Sequence, residues 1–212
     1  MPTTLTLQPT GQQVVVPCKW SDCTFQQFVD LVAPEPDEQR SAAEILCSLE
    51  AGAFLNLALQ DVELLTTLLA FAQDSSDVTS LLPTPGLRPI GELAYGSLLL
   101  CTQHIQASPN RPWLAYAPYI LAVYRQTMLW GNADNASKLD ACEAAILAAP
   151  CTEVYADASF FLTQYKNYTS ASAPTPKTSS TSATKRKKRG LATSANASRT
   201  LWDWMRRRKA RS

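Results

Sequence analysis

The chain has 212 residues, 46% of them apolar, which is enough to bury one ordinary core or two small ones. Its net charge of +1 hides a strong asymmetry. Residues 1–169 carry 7 basic and 17 acidic side chains, a net charge of −10, whereas residues 170–212 carry 12 basic and 1 acidic, a net charge of +11. The single histidine, His104, excludes metal sites with two His ligands and reactions that need two imidazoles.

The first seventeen residues predict a short β-hairpin. Polar and apolar side chains alternate along Thr4–Leu7, and β-branched residues fill Val14–Val16. Residues 8–13, between them, contain Pro9 and Gly11, which favour a turn. Because two strands alone are marginally stable, we expect the hairpin to dock on the body or to pair with another subunit.

Helical patterns fill the rest of the body, residues 1–169. Thr24 with Gln27, and Ser41 with Glu44, each have the spacing of a capping box at a helix start. Apolar residues then recur at helical spacing, which predicts a mainly α fold, a bundle of about six helices. The helical patterns run from Thr24 to Pro34, Ser41 to Gly52, Val62 to Phe71, Ile90 to Ile105, Trp113 to Met128, Ser137 to Ala149 and Thr152 to Tyr168.

A polar stretch rich in Pro, Gly and Ser, residues 74–88, interrupts these helices. It either joins two subdomains, 1–73 and 89–169, or forms a long surface loop. The helix Val62–Phe71 is apolar on more than one face, which predicts that it forms the centre of the core. The side chains that we expect to be buried are Phe25, Phe28, Leu46, Leu65, Leu68, Phe71, Leu99, Ile120 and Phe161.

Sequence features that support catalysis, a cofactor or a metal are absent. His104 and Cys101 share a helical segment, but that segment is apolar and typical of core packing. No Cys-x-x-Cys pair occurs, and the six cysteines have no metal-ligand spacing, so we expect reduced packing residues. We therefore predict a non-enzymatic protein without catalytic, cofactor-binding or metal-binding residues. The uncharged stretch Leu93–Asn110 is too polar to span a bilayer, and we expect no membrane partner.

The composition changes at residue 170. Residues 170–200 form a Ser/Thr-rich linker with a basic run and are predicted to be disordered, and residues 201–212 form an aromatic and Arg-rich docking segment. This basic tail suits nucleic acid, an anionic membrane surface or a protein partner, or is a solvated tail. The predicted partner-binding residues are Lys185, Arg186, Lys187, Lys188, Arg189, Leu201, Trp202, Trp204, Met205, Arg206, Arg207, Arg208 and Lys209.

Several short motifs resemble those of tailed-phage tail assembly chaperones, the proteins that bind the tape measure protein. That group begins with a short strand and a proline, followed by Trp-x-(Asp/Glu)-x-Thr and an aromatic helix. The matching segments here are Val14–Leu31, Ile45–Leu49, Gly91–Glu92, Ile120–Arg125 and Ala158–Phe161, spread over roughly residues 14–165. The Ser/Thr linker and the Arg-rich end have no counterpart in the pattern.

The resemblance implies a small, mainly helical, non-enzymatic protein that needs no cofactor. Its expected partner is the tape measure protein or another phage tail protein, with homo-oligomers as a common state. The expected location is the host cytoplasm during phage assembly, or the virion. The alternative function is a virion structural or DNA-packaging-associated protein that contacts nucleic acid through the cationic tail. The order of these two alternatives rests on the resemblance and not on charge.

Overall fold

The structure, a computed structural model, describes residues 2–34, 40–131 and 136–172. All of them belong to one compact unit. The unit is mainly helical and carries a two-stranded hairpin at its N-terminal end, which confirms the predicted fold class. The predictions for residues 173–212, both the disordered linker and the docking segment, lie outside the described residues.

The hairpin consists of β1 (Thr3–Leu7) and β2 (Gln12–Val16), paired antiparallel. It docks on the body through the turn that joins its strands. The backbone N–H of Gln8 donates to the carboxylate of Asp61 at 2.6 Å, and the N–H of Ala58 donates to the carbonyl of Gln8 at 3.1 Å. Three hairpin side chains are buried in the core: Leu7, Val14 and Val16. Docking covers one face of a sheet that is too small to be stable alone.

Helices make up most of the remaining described residues. The α-helices are α1 (Phe25–Val32), α2 (Ala42–Leu46), α3 (Leu59–Leu68), α4 (Ser76–Thr79), α5 (Tyr95–Ala107), α6 (Ala117–Trp130), α7 (Ala136–Ala148) and α8 (Cys151–Ser172). Short 3₁₀ segments lie at Trp20–Asp22, Ala53–Asn56, Leu69–Gln73, Ile90–Glu92 and Trp113–Tyr116. The last helix, α8, continues to Ser172, two residues past the start of the predicted linker.

Both predicted capping boxes are present. The Thr24 hydroxyl accepts from the Gln27 N–H at 3.2 Å, and the Gln27 side chain accepts from the Thr24 N–H at 2.8 Å. Ser41 and Glu44 repeat the arrangement, with 3.2 Å from the Glu44 N–H to the Ser41 hydroxyl and 2.7 Å from the Ser41 N–H to the Glu44 carboxylate. These bonds satisfy backbone donors that have no partner within a helix, and they fix the first residues of α1 and α2.

The helix α2 ends well before Gly52, contrary to the prediction from its apolar spacing. Ser48 takes a left-handed backbone conformation with φ of 53°, and the Leu49 N–H turns back to the carbonyl of Glu44 at 2.8 Å. The guanidinium of Arg40 donates to the carbonyls of Glu44 and Leu49 at 3.1 and 2.7 Å. Arg40 therefore supplies partners to carbonyls that a longer helix would have bonded internally.

The centre of the core is α6 and not the predicted helix at 62–71. α6 packs against α5, α7 and α8. Its buried side chains include Ala117, Ile120, Leu121, Ala122, Val123 and Tyr124. In α3, by contrast, Leu65 is buried while Leu59 and Leu64 are exposed. Both helices are apolar on several faces, and only the tertiary arrangement decides which one is surrounded.

Among the side chains predicted to be buried, Leu99 was assigned wrongly. It is 42% exposed, because α5 buries the face that carries Leu98 and Cys101 and the next residue after Leu98 points about 100° away. Leu68 and Phe71 are partly buried and pack against the core. The remaining predicted core residues are buried: Phe25, Phe28, Leu46, Leu65, Ile120 and Phe161.

The two halves of the sequence meet at the start of α1. Thr24 forms an isolated antiparallel bridge with Pro150, just before α8 begins. The buried Trp20 packs edge-on against Phe28 and Phe71, with ring centroids 5.2 and 5.3 Å away. A single core thus includes residues from both sides of the 74–88 stretch.

Candidate functional site

The predicted partner-binding residues, Lys185–Arg189 and Leu201–Lys209, lie outside the described residues. A candidate site in the described body has to come from its ionisable clusters, its cysteines or its exposed apolar surface.

His104 forms part of an aromatic cluster between α5 and α6. Its ring stacks on that of Tyr119, with centroids 3.8 Å apart and planes 5° from parallel, and Tyr116 contacts it edge-on at 6.1 Å. Burial, and secondarily the positive charge of Arg111, hold the pKa of His104 below its usual value. Both effects favour the neutral imidazole, and its ring makes packing contacts with Tyr116 and Tyr119.

The same cluster extends toward the surface and toward α7. Trp113 contacts Tyr116 edge-on at 5.9 Å, and the ammonium of Lys166 lies 4.8 Å above the Trp113 ring in a cation–π contact. On the α7 side, burial and the neighbouring Asp140 raise the pKa of Glu143. The ring contacts join α5 to α6, and the Lys166 contact joins α8 to Trp113 just before α6.

Cys101, the sequence neighbour of His104 on α5, is fully buried. Burial raises the pKa of its thiol to about 12, so the thiolate that would act as a nucleophile is not formed near neutral pH. Within residues 2–34, 40–131 and 136–172, no group of three or more His, Cys, Asp or Glu side chains is arranged to hold a metal ion.

The described body carries an open groove of about 240 Å³, lined by both polar and apolar side chains, between the 74–88 stretch and α8. The groove is lined by Thr79, Leu81, Pro83, Tyr155, Ala156, Ser159, Phe160, Thr163 and Gln164. Its outer wall is fixed by Thr84, whose backbone N–H and hydroxyl donate to the buried carboxylate of Asp157 at 2.8 and 3.0 Å. Between the lining residues Leu81 and Pro83, Leu82 is 88% exposed and extends the apolar surface beside the groove.

The groove lining contains no acidic side chain, but one exposed carboxylate lies next to it. Glu153 lies on α8 at helical spacing from the lining residues Ala156 and Phe160. The groove therefore suits a segment that combines an apolar side chain with a basic neighbour. Sequence analysis missed this surface, although the apolar pair at 81–82 inside a polar stretch was a signal for it.

No helix in the described part of the chain is both long and apolar enough to cross a membrane. No protein-family model, curated protein or solved structure matches this chain.

Proposed function

We propose that this protein is a tail assembly chaperone of a tailed phage, a non-enzymatic protein that binds the tape measure protein or another tail protein during assembly. It works without a cofactor, acts in the host cytoplasm and forms homo-oligomers. The observation that carries the proposal is the resemblance of short motifs over roughly residues 14–165. The acidic body and the distinct cationic end are compatible with that design.

The positions of the matched residues support a similar fold. Trp20 and Phe28, from the first motif, contact each other at 5.2 Å, and Phe28 contacts Tyr155 of α8 edge-on at 5.1 Å. Tyr124 from the Tyr-Arg motif packs on Phe161 from the late Ala-x-Phe-Phe motif, with ring centroids 3.8 Å apart. Two of the motifs, Ile120–Arg125 and Ala158–Phe161, thus contact each other in the core, and the first motif contacts α8 through Phe28.

The partner surface that we assign on the body is the groove beside α8. An apolar side chain of the tail protein occupies it, and a basic residue next to that side chain approaches Glu153. Exposed apolar surface with a polar rim is typical of protein-binding sites. The groove can accept one or two anchoring side chains of a helix or an extended segment.

Co-expression with the neighbouring phage genes, followed by pull-down, tests this proposal. We expect the tape measure protein, or a fragment of it, to be retained by the full chain. Leu82→Asp places a charge beside the groove without disturbing the core and should weaken retention at least about 10-fold. Leu55→Asp is the matched control, because Leu55 is 86% exposed and lies outside the groove lining. Equal retention by the two variants would refute the assignment of the groove.

The cationic end is tested separately by deleting residues 198–212. If it binds a protein, Trp202→Ala and Trp204→Ala should each weaken binding by about 1–4 kcal/mol, as buried aromatic anchors do. If it binds phosphates, the substitutions at 206–208 should dominate, with a steep loss of affinity as salt rises. A truncated protein that retains its partner and still supports particle assembly would show that residues 198–212 are dispensable.

The second candidate is a virion structural or DNA-packaging-associated protein. The observation that favours it is the net charge of +11 on residues 170–212, which suits nucleic acid. Mass spectrometry of purified particles separates the two functions, because an assembly chaperone leaves the particle and a structural protein remains. A stoichiometric amount of this chain in mature virions, retained with DNA, would favour the second candidate.

A further inference from the structure

Two buried cysteines face each other where the two halves of the body meet. The bridge between Thr24 and Pro150 is flanked by two backbone hydrogen bonds, from the Phe25 N–H to the carbonyl of Ala149 at 2.8 Å and from the Cys151 N–H to the carbonyl of Cys23 at 2.9 Å. This register places Cys23 directly opposite Cys151. One backbone bond joins the two residues directly, because the Cys23 N–H donates to the carbonyl of Trp20 instead. Hydrogen-bonded pairs in a regular antiparallel ladder have Cα atoms about 5.5 Å apart, and disulfides span about 4.4–6.8 Å.

The two sulfur atoms also lie toward the same stretch of backbone. The Cys151 thiol donates to the carbonyl of Trp20 at 2.9 Å, and that carbonyl also accepts from the Cys23 N–H at 3.1 Å. The Cys23 thiol donates to the neighbouring carbonyl of Lys19 at 3.7 Å. Directly opposed side chains in an antiparallel pair lie on the same face. Backbone register and thiol contacts therefore agree on the juxtaposition.

We propose that Cys23 and Cys151 are a redox-sensitive pair that forms a disulfide across the junction of α1 and α8. The oxidant is a low-molecular-weight disulfide such as oxidised glutathione. One cysteine thiolate attacks it and releases one reduced glutathione, and the second cysteine thiolate then displaces the other. Two thiols lose two electrons and two protons in total, one S–S bond forms between the cysteines, and two molecules of reduced glutathione leave.

Burial makes this reaction slow in the closed state. Both side chains are almost fully buried, and burial raises the pKa of the Cys23 thiol to about 12 and that of the Cys151 thiol to about 11. The first attack therefore takes place when the start of α8 separates briefly from the strand-like segment before α1. Once formed, the disulfide closes a loop that spans most of the body and opposes further separation.

The experiment uses the full chain carrying Cys18→Ser and Cys142→Ser, which removes the two half-buried thiols. The protein is incubated with oxidised glutathione in native buffer and, in parallel, refolded from urea in a mixture of oxidised and reduced glutathione. We expect the loss of two of the remaining thiols, and non-reducing proteolysis should yield a peptide that joins Cys23 to Cys151. At a fixed urea concentration, the unfolded-to-folded ratio of the oxidised protein should be about 30- to 1,000-fold lower than that of the reduced protein. Dithiothreitol should restore the ratio of the reduced protein.

Cys23→Ser in the same background separates this pairing from other oxidation. After incubation with oxidised glutathione, we expect that variant to show no crosslinked peptide containing Cys151. Its unfolding midpoint should be the same before and after the incubation. Three results would overturn the proposal: a peptide that joins either cysteine to Cys47 or Cys101 instead, four intact thiols in both incubations, or a Cys23–Cys151 disulfide that leaves the unfolded-to-folded ratio unchanged.

Discussion

Glu44 provides a sharp test of how a few local bonds hold the N-terminal half in place. Its carboxylate accepts from the Ser41 N–H at 2.7 Å and from the Phe54 N–H at 3.1 Å, and the side chain is buried. In Glu44→Gln, one carboxylate oxygen becomes an NH₂ group, which cannot accept a hydrogen bond. One of the two backbone donors then lacks a partner, and we expect a loss of about 1–3 kcal/mol in the free energy of unfolding at pH 7.

The pH dependence of this loss follows from the charge of the carboxylate. Burial alone would raise the pKa of Glu44, but the hydrogen bonds from Ser41 and Phe54 outweigh it and lower the pKa below its usual value. A depressed folded pKa stabilises the protein above the unfolded pKa, and this contribution disappears as the pH falls through the folded value. The difference between wild type and Glu44→Gln should therefore be largest at about pH 7 and smaller at about pH 3.

Urea unfolding followed by circular dichroism, at several pH values, measures both quantities. Glu50→Gln is the matched control, because Glu50 is exposed and six residues away, and its unfolding free energy should stay within about 0.5 kcal/mol of wild type. Ser41→Ala should cost about 1 kcal/mol through the capping box alone. A Glu44→Gln protein whose stability falls with acid in parallel with wild type would refute this reasoning.

Three further substitutions probe the core and the groove by the same urea assay. Phe161→Ala should destabilise the protein by about 3–5 kcal/mol because the ring is fully buried against α6, whereas Leu99→Ala should cost about 1 kcal/mol or less since the side chain is substantially exposed. Equal losses would contradict the assigned face of α5. Thr84→Ala removes one of two hydrogen bonds to the buried Asp157 carboxylate and should cost about 1–2 kcal/mol. An unchanged midpoint would mean that this bond does not hold the groove wall.

Features encoded within a few residues could be predicted from the sequence. The capping boxes at Thr24 and Ser41 need only four residues each, so the start of α1 and the start of α2 followed from spacing. The hairpin followed from alternation and a turn. The early end of α2 could not be predicted, because it depends on the guanidinium of Arg40 and on the left-handed conformation of Ser48, which the tertiary environment supports.

Features that depend on distant partners were missed. Asp157 and Thr84, which fix the groove wall, are 73 residues apart in the chain, and no local pattern pairs them. The segments at 62–71 and 117–130 are both apolar, yet only the second is surrounded by helices. The proximity of Cys23 and Cys151 likewise depends on a single β-bridge, which joins segments that are distant in the sequence. Residue identity alone indicated core packing for these cysteines and gave no sign of their register.

The motifs that carry the family resemblance lie mainly in the core, so they bear on the fold more than on the partner. The residues that select the partner must therefore lie on the surface. The two candidate surfaces are the groove beside α8 and the cationic end. If one tail protein contacts both, Leu82→Asp and deletion of 198–212 should each weaken its binding, and the two fold-changes should multiply in the double variant, as they do for independent sites. The measurement is the dissociation constant of the purified complex at fixed salt. If the dissociation constant of the double variant is no higher than that of the single variant with the lower affinity, the two surfaces do not contribute independently to one complex.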